Sequence, residues 1–306
     1  SRTLNIDTSC VKKLITKKTK AIYIMHHGGN PCDLNELRKL KKKYKFKIVE
    51  DCAHACGSIY NKKMIGSNSD IACFSFSTLK NITTLGEGGM IVTSSKKYSN
   101  YAKLLRTNFP IGVKITKKIS KLGNYLRPKN IAFSFSGDAW DTEQWKNISE
   151  IGSTFRMSSP QAAVGIVQLK KINSFNSTRS KITKKFEKAV RQCDLLENLH
   201  INNKSVSSCH LFCFFIKKNK YGNNQDFINI LYKRFNIKIV NRFFPMNFSS
   251  IIRTKKNLLD IAPVNADVWF NELISIPIYP QMKSKQIEYI QNAIIDTHNL
   301  IRNAKF

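Results

Sequence analysis

The sequence predicts an α/β fold whose first part is a mixed, mainly parallel sheet and whose second part is a smaller α/β unit. Two observations carry this. Short apolar runs alternate with helical patterns from Ala21 to Arg106, as strand–helix–strand units of a parallel sheet do. A long helical pattern then opens at Pro160 and leads into a second set of strands and helices.

Taken in order, Ala21–Ile24 is a short apolar run suited to a buried strand, and it runs into His26-His27-Gly28-Gly29. Asp33 can cap the helix that follows, because a side-chain oxygen there accepts from the first free N–H groups, and Leu34, Leu37 and Leu40 share one helical face. Lys47–Glu50, Ile71–Phe76 and Met90–Thr93 read as strands, and Lys96–Arg106 as a helix. Periodicity fades over residues 108–149, which contain Trp140 and Trp145 and read as a long insertion or lid. Proline suits the first turn of a helix, and from Pro160 the apolar positions Ala163, Ile166, Val167, Leu169 and Ile172 continue toward Ala189. A strand at Leu211–Ile216, a helix at Gln225–Phe235, a strand at Leu273–Ile276 and a helix at Lys285–Ile301 complete the pattern. The expected division is a large domain over residues 1–170 and a smaller one over 171–306.

Composition narrows the function classes. An apolar share of 42% in 306 residues supports a folded core. No run approaches the roughly 20 apolar residues of a membrane helix, and Ser1–Thr19 holds no apolar export segment. The expected location is the cytoplasm, with no membrane partner. Fifty-one Lys and Arg against 20 Asp and Glu give a net charge of +31. The lysines are spread along the chain, in runs such as Lys41–Lys43, without an aromatic-studded basic module. That pattern points to compositional drift rather than a specific nucleic-acid partner. The eight cysteines include no C-x-x-C and read as reduced, mostly buried thiols. Cys52-Ala-His54-Ala-Cys56 does not have a zinc-site spacing, and strand alternation would put its three polar side chains on one face; no metal is expected.

Three features suggest chemistry. Asp51 ends an apolar strand, at the edge where α/β sheets bind ligands. Ser75, Ser77, Thr78 and Lys80 follow a second strand, and Gly86-Glu87-Gly88-Gly89 allows close backbone approach. By spacing alone, a lysine after a strand is most often a surface residue, and an aspartate there is often a turn or helix cap.

The motifs say more. Asp51-Cys-Ala-His54-Ala, Phe74-Ser-Phe-Ser-Thr-Leu-Lys80-Asn and Gly86-Glu-Gly-Gly-Met90-Ile-Val together resemble the core signature of the nucleotide-sugar aminotransferases, the DegT/DnrJ/EryC1/StrS family of fold-type-I pyridoxal-phosphate (PLP) enzymes. His26-His-Gly-Gly-Asn-Pro31-Cys-Asp33, Phe155-Arg156-Met157-Ser-Ser-Pro-Gln161-Ala-Ala and Ile274-Ser-Ile-Pro277-Ile-Tyr-Pro280 extend the likeness. The resemblance implies that Lys80 forms the Schiff base with PLP and acts as acid and base. It implies that Asp51 pairs with the pyridinium nitrogen, His54 lies beside the phenolic oxygen and Ser75 touches the phosphate. It also implies a homodimer that moves an amino group from L-glutamate to a nucleotide-linked keto-deoxysugar in amino-sugar biosynthesis.

The sequence departs from the family in three places. Relatives carry a further segment before the part resembling Leu4–Lys20, with a Ser-Gly-Thr phosphate-binding turn and an aromatic that stacks on the cofactor; the large domain is therefore expected to be incomplete at its N-terminal side. Thr154 stands where an asparagine is usual, and Arg242 lies in Asn241–Asn247, where relatives often carry His and Tyr near the sugar. The alternative reading is a catalytically inactive or split relative that retains dimerisation or regulation. Dehydratase members replace the lysine with histidine, and Lys80 argues against that branch.

Overall fold

The computed structural model describes residues 2–106, 153–217, 223–239, 245 and 264–303. The insertion expected at 108–149, and Arg242, lie outside them. The chain opens with α1 (Thr8–Leu14), capped by the Asp7 carboxylate. It continues through β1 (Ala21–Met25), a one-turn 3-10 helix at His27–Gly29, α2 (Leu34–Tyr44) and β2 (Lys47–Asp51). A small hairpin, β3 (Ile59–Tyr60) and β4 (Lys63–Met64), precedes β5 (Ile71–Ser75), β6 (Gly89–Val92) and α3 (Lys96–Arg106). Asp33 caps α2 as expected, accepting from the N–H groups of Asn35 and Glu36.

These strands form a four-stranded sheet in the order β1-β2-β5-β6. The first three are parallel, and β6 returns antiparallel to β5. Alternation assigns its two faces. Ile24, Ile48, Glu50 and Ala72 are buried on the side that packs against Leu34, Leu37 and Phe46. Val49 and Asp51 lie on the other side, which is less covered.

The long helix α4 (Ser159–Arg191) has 33 residues, or about 50 Å of axis. Ser158 and Gln161 form a capping box at its start, each side chain bonding the other's backbone N–H, with Pro160 in the first turn. Its two ends differ: Ile166, Val167 and Leu169 are exposed, whereas Ile182, Phe186, Ala189 and Val190 are buried. After α4 come β7 (Leu196–Asn198), β8 (Ser205–Val206), β9 (Phe212–Ile216), α5 (Asn224–Phe235), α6 (Val264–Glu272), β10 (Leu273–Ile276) and α7 (Ser284–Asn303).

Strands β10, β9 and β7 make an antiparallel sheet with β9 in the middle. The C-terminal part of α4 packs with α5 and α7 against it around Phe186, Phe214, Phe227, Leu231 and Ile294. A third small sheet, ordered β4-β3-β8, pairs Ile59 with Val206 and so joins the two halves of the chain. Among the described residues no helix is long and apolar enough to cross a membrane.

One expectation is corrected here. Cys52–Cys56 was expected to alternate as a strand, but β2 ends at Asp51 and residues 53–57 turn. The cysteine and histidine side chains therefore diverge: Cys52 packs beside Glu50, His54 lies against His210, and Cys56 packs near Phe76 and Ile172.

Candidate active site

The parallel strands β1 and β2 end side by side, with Met25 paired to Asp51, and Asp51 is paired in turn to Cys73 of β5. Ser75 lies two residues beyond Cys73, so alternation puts it on the same face as Asp51. The Asp51 carboxylate is held at two points: Tyr23 Oη donates to Oδ2 at 2.7 Å, and the Ala53 N–H donates to Oδ1 at 2.9 Å. Partial desolvation, modest for a side chain this exposed, and then the bond to Asp51 raise the Tyr23 phenol above its ordinary value, so it stays a donor. The Ser75 hydroxyl accepts a long bond, 3.4 Å, from the Ser77 N–H.

Beneath this edge, His26 Nδ1 accepts from the Cys32 N–H at 3.0 Å, which leaves the proton on Nε2 to donate to Glu50 at 3.1 Å. Glu50 also accepts from the Gly66 N–H at 2.9 Å. His26, Glu50 and Cys52 are the described residues whose possible metal-ligand atoms all lie within 4.8 Å of one another. Their mutual hydrogen bonds already give the cluster a structural role, tying β1 to β2 under Asp51.

His54 is buried and accepts at Nδ1 from the Gly28 N–H, 3.3 Å away. Its remaining nitrogen, Nε2, therefore carries the proton. Its ring stacks on His210, with centroids 4.3 Å apart and planes 30° apart, and meets His27 edge-on at 6.0 Å. The backbone here is tightly constrained. Gly29 has φ +91°, and a Cβ on it would overlap the Ser208 hydroxyl, which itself donates to the His54 carbonyl at 2.7 Å.

Lys80 closes a turn after β5, its N–H donating to the Ser77 carbonyl at 3.0 Å, and its side chain is half-buried. Its charge is among those that act on His210, which puts the lysine and the histidine pair in one neighbourhood. The loop behind it is pinned by Phe76 N–H to Gly88 O at 2.7 Å and Thr84 N–H to Phe76 O at 3.1 Å. Gln161, at the start of α4, donates to the Glu87 carbonyl at 3.1 Å. The glycine-rich and Gln-Ala-Ala motifs thus meet although they lie far apart in sequence.

The structure thus brings Asp51 and Ser75 onto one sheet face, and His54 and Lys80 around His210. Thr154 is exposed on the stretch leading to α4. Four further residues escaped sequence reading: Tyr23, Asn81, Arg179 and His210. Tyr23 could have been found from strand alternation, two residues before the end of β1. No sequence pattern flags His210, a single imidazole before an apolar strand.

Comparison with known proteins identifies the family. The model of the DegT/DnrJ/EryC1/StrS aminotransferase family matches residues 1–295. An uncharacterized protein of Methanocaldococcus jannaschii is 30% identical over 298 residues, covering 95% of this chain and 70% of the relative. The UDP-4-amino-4,6-dideoxy-N-acetyl-beta-L-altrosamine transaminase of Campylobacter jejuni is 28% identical over 294 residues, covering 95% and 69%. In structure, the chain superposes on an aminotransferase from Psychrobacter cryohalolentis with a TM-score of 0.82 at 20% identity, covering 99% of this chain and 74% of that one. The chain belongs to the DegT/DnrJ/EryC1/StrS aminotransferase family.

Proposed function

We propose that this chain is a PLP-dependent aminotransferase that moves an amino group from glutamate to a nucleotide-linked keto-deoxysugar, in the making of amino sugars. The observation that carries the reading is the grouping of an anchored carboxylate, a buried imidazole with its proton on Nε2 and a half-buried lysine at one sheet edge, in a chain matched to the family over residues 1–295. The nucleotide-sugar substrate class rests on relatives such as the Campylobacter transaminase. A retained lysine, acid and histidine favour an enzyme over an inactive remnant.

The donor set fits PLP. When bound, the cofactor supplies an electron sink for charge developing on the substrate carbon. Asp51, kept in place by Tyr23 and Ala53, would hold the proton on the ring nitrogen. His54 would donate from Nε2 to the phenolic oxygen. Lys80 would bind the cofactor covalently and carry a proton to and from the substrate carbon and nitrogen. Ser75 and neighbouring N–H groups would meet the phosphate.

Assembly follows the same reading. The large domain spans residues 1–170 and the small one 171–306, with α4 bridging them. Leu79, Leu85, Phe155, Ile166, Val167 and Leu169 are all exposed, and apolar side chains left in water at this density support a second copy as partner. Eight free cysteines and a nucleotide-sugar substrate favour the cytoplasm.

The test is the visible spectrum of the purified chain with PLP, before and after borohydride, with peptide mapping. A yellow band that borohydride fixes on Lys80, and that Lys80→Ala abolishes, is the expected result. No band, or fixation spread over surface lysines, would sink the proposal.

A further inference from the structure

Asn81, the residue after Lys80, is buried. Its side-chain nitrogen donates to Asn176 Oδ1 at 2.9 Å and to the Ser208 carbonyl at 3.0 Å. Both amide hydrogens go to acceptors, so the amide cannot be turned over and Oδ1 is fixed as the acceptor for His210 Nδ1, 2.8 Å away. His210 therefore carries its proton on Nδ1 and presents a lone pair at Nε2. Three bonds thus fasten the neighbour of Lys80 to α4 and to the segment before β9.

The partners are fastened in turn. Asn176 donates to the Cys56 carbonyl at 2.9 Å, closing the loop that carries His54. Arg179 Nη1 donates to the carbonyls of Cys209, His210 and Ile278, at 3.4, 3.4 and 2.8 Å, and so fixes the backbone of His210. The charged or titratable groups that act on the His210 ring are His54, Lys80, Arg179 and His27. Burial first, and then these neighbours, push its pKa down to about 2, so it remains neutral at working pH. A neutral ring can stack on His54 without charge repulsion.

We propose that Asn81 and His210, clamped by Asn176, Ser208 and Arg179 of the second half of the chain, are positioning residues that hold Lys80 and His54 in working geometry. This rests on the reading of Lys80 as the cofactor lysine. Neither residue needs to touch the cofactor: Asn81 fixes where the backbone of Lys80 sits, and His210 fixes the plane of His54. A buried amide with three bonds beside one functional lysine is a costly arrangement unless position matters, because apolar packing would fill the same space without the need to satisfy polar atoms.

The probe is PLP alone, added to the full chain, with borohydride quenching at set times and peptide mapping at Lys80. Asn81→Ala and His210→Ala are each expected to slow labelling at Lys80 about tenfold, less than the roughly hundredfold that a full 1 Å misplacement of a reacting group can cost. Labelling of surface lysines serves as the internal reference and stays unchanged. His210→Asn places an amide N–H near the position of Nδ1, restoring the bond to Asn81 though not the stacking on His54. Its labelling at Lys80, which reads the Asn81 contact, is expected to stay within about twofold of the unaltered chain. Wild-type rates in the two alanine variants would overturn the proposal, and so would a loss in His210→Asn as large as in His210→Ala. If Lys80 of the unaltered chain labels no faster than surface lysines, the cofactor reading fails by itself. The positioning is then read without cofactor, from the ¹³C resonance of reductively dimethylated Lys80, assigned with Lys80→Arg. A midpoint displaced by about half a pH unit or more in Asn81→Ala sustains the proposal, and an unmoved midpoint rejects it.

Discussion

Strands β9 and β6 are both built largely from apolar residues, yet every residue of β9 is buried and every residue of β6 is exposed. β9 lies between two partners. Phe212, Phe214 and Ile216 face the helices on one side, and Cys213 and Phe215 face Leu4 and Leu273 on the other. β6 pairs only with β5 at the sheet edge, and Met90 and Ile91 remain more than half exposed. Composition does not separate the two strands; what covers them does. The half of the molecule with the dense core anchors the structure, while the half with the open sheet carries the candidate site. Stability and function are commonly divided in this way, because sites must open or exchange contacts.

The sharpest test of that contrast is a pair of truncations read by urea unfolding. Phe214→Ala, at a fully buried position, is expected to cost about 3–5 kcal/mol. Ile91→Ala, at an exposed one, should cost no more than about 0.5 kcal/mol. An Ile91→Ala loss comparable to the first would show that β6 is covered in solution and would break the comparison.

Acid should weaken the region around the histidines next. Burial pushes His27 down to about 4, and burial with its neighbouring charges pushes His210 down to about 2. In the unfolded chain both would titrate near 6.5. The unfolded state thus binds more protons as the pH falls below about 6.5, and stability is lost downward from there, levelling off only below the folded values. Between pH 7 and pH 4.5 the expected loss is about 2 kcal/mol for each imidazole, and His210→Asn should remove roughly half of it. A flat profile over that range would show that the imidazoles are hydrated.

A smaller effect concerns Asp70. Burial alone would raise its carboxyl, but the bonds from Lys41, the Ile48 N–H and Lys47 outweigh this and hold it below the usual carboxylate range. Its contribution is present above that range and lost as pH falls through the lowered value. Asp70→Asn should therefore destabilise at neutral pH and matter little in strong acid, by about 1 kcal/mol at most, because Lys41 and Lys47 remain partly solvated. Equal destabilisation at both pH values would point to lost packing rather than lost charge.

Much of this architecture was readable from the chain. Apolar runs bounded by polar turns located β1, β2 and β5, and α3 and β10 ran as the pattern predicts, because caps and periodicity are local signals. Strands of two or three residues, β3, β4, β7 and β8, leave no periodicity to read. The turn after Asp51 reads as strand because Cys, Ala and His alternate as strand residues do. Asp51 and Lys80 stand out through the motifs that carry the family resemblance, since their place at strand ends does not by itself separate them from a turn cap and a surface lysine. Asn81 and His210 do not, since their meeting depends on contacts 129 residues apart in sequence.

The pairing of Ile59 with Val206 has a consequence for the order in which the molecule is made. At about 5–20 residues per second, the ribosome finishes β8 on the order of ten seconds after β3. In that interval Asn81, next to Lys80, lacks its bonds to Ser208 and His210, so on the proposed reading the lysine is set in place only after the later half emerges.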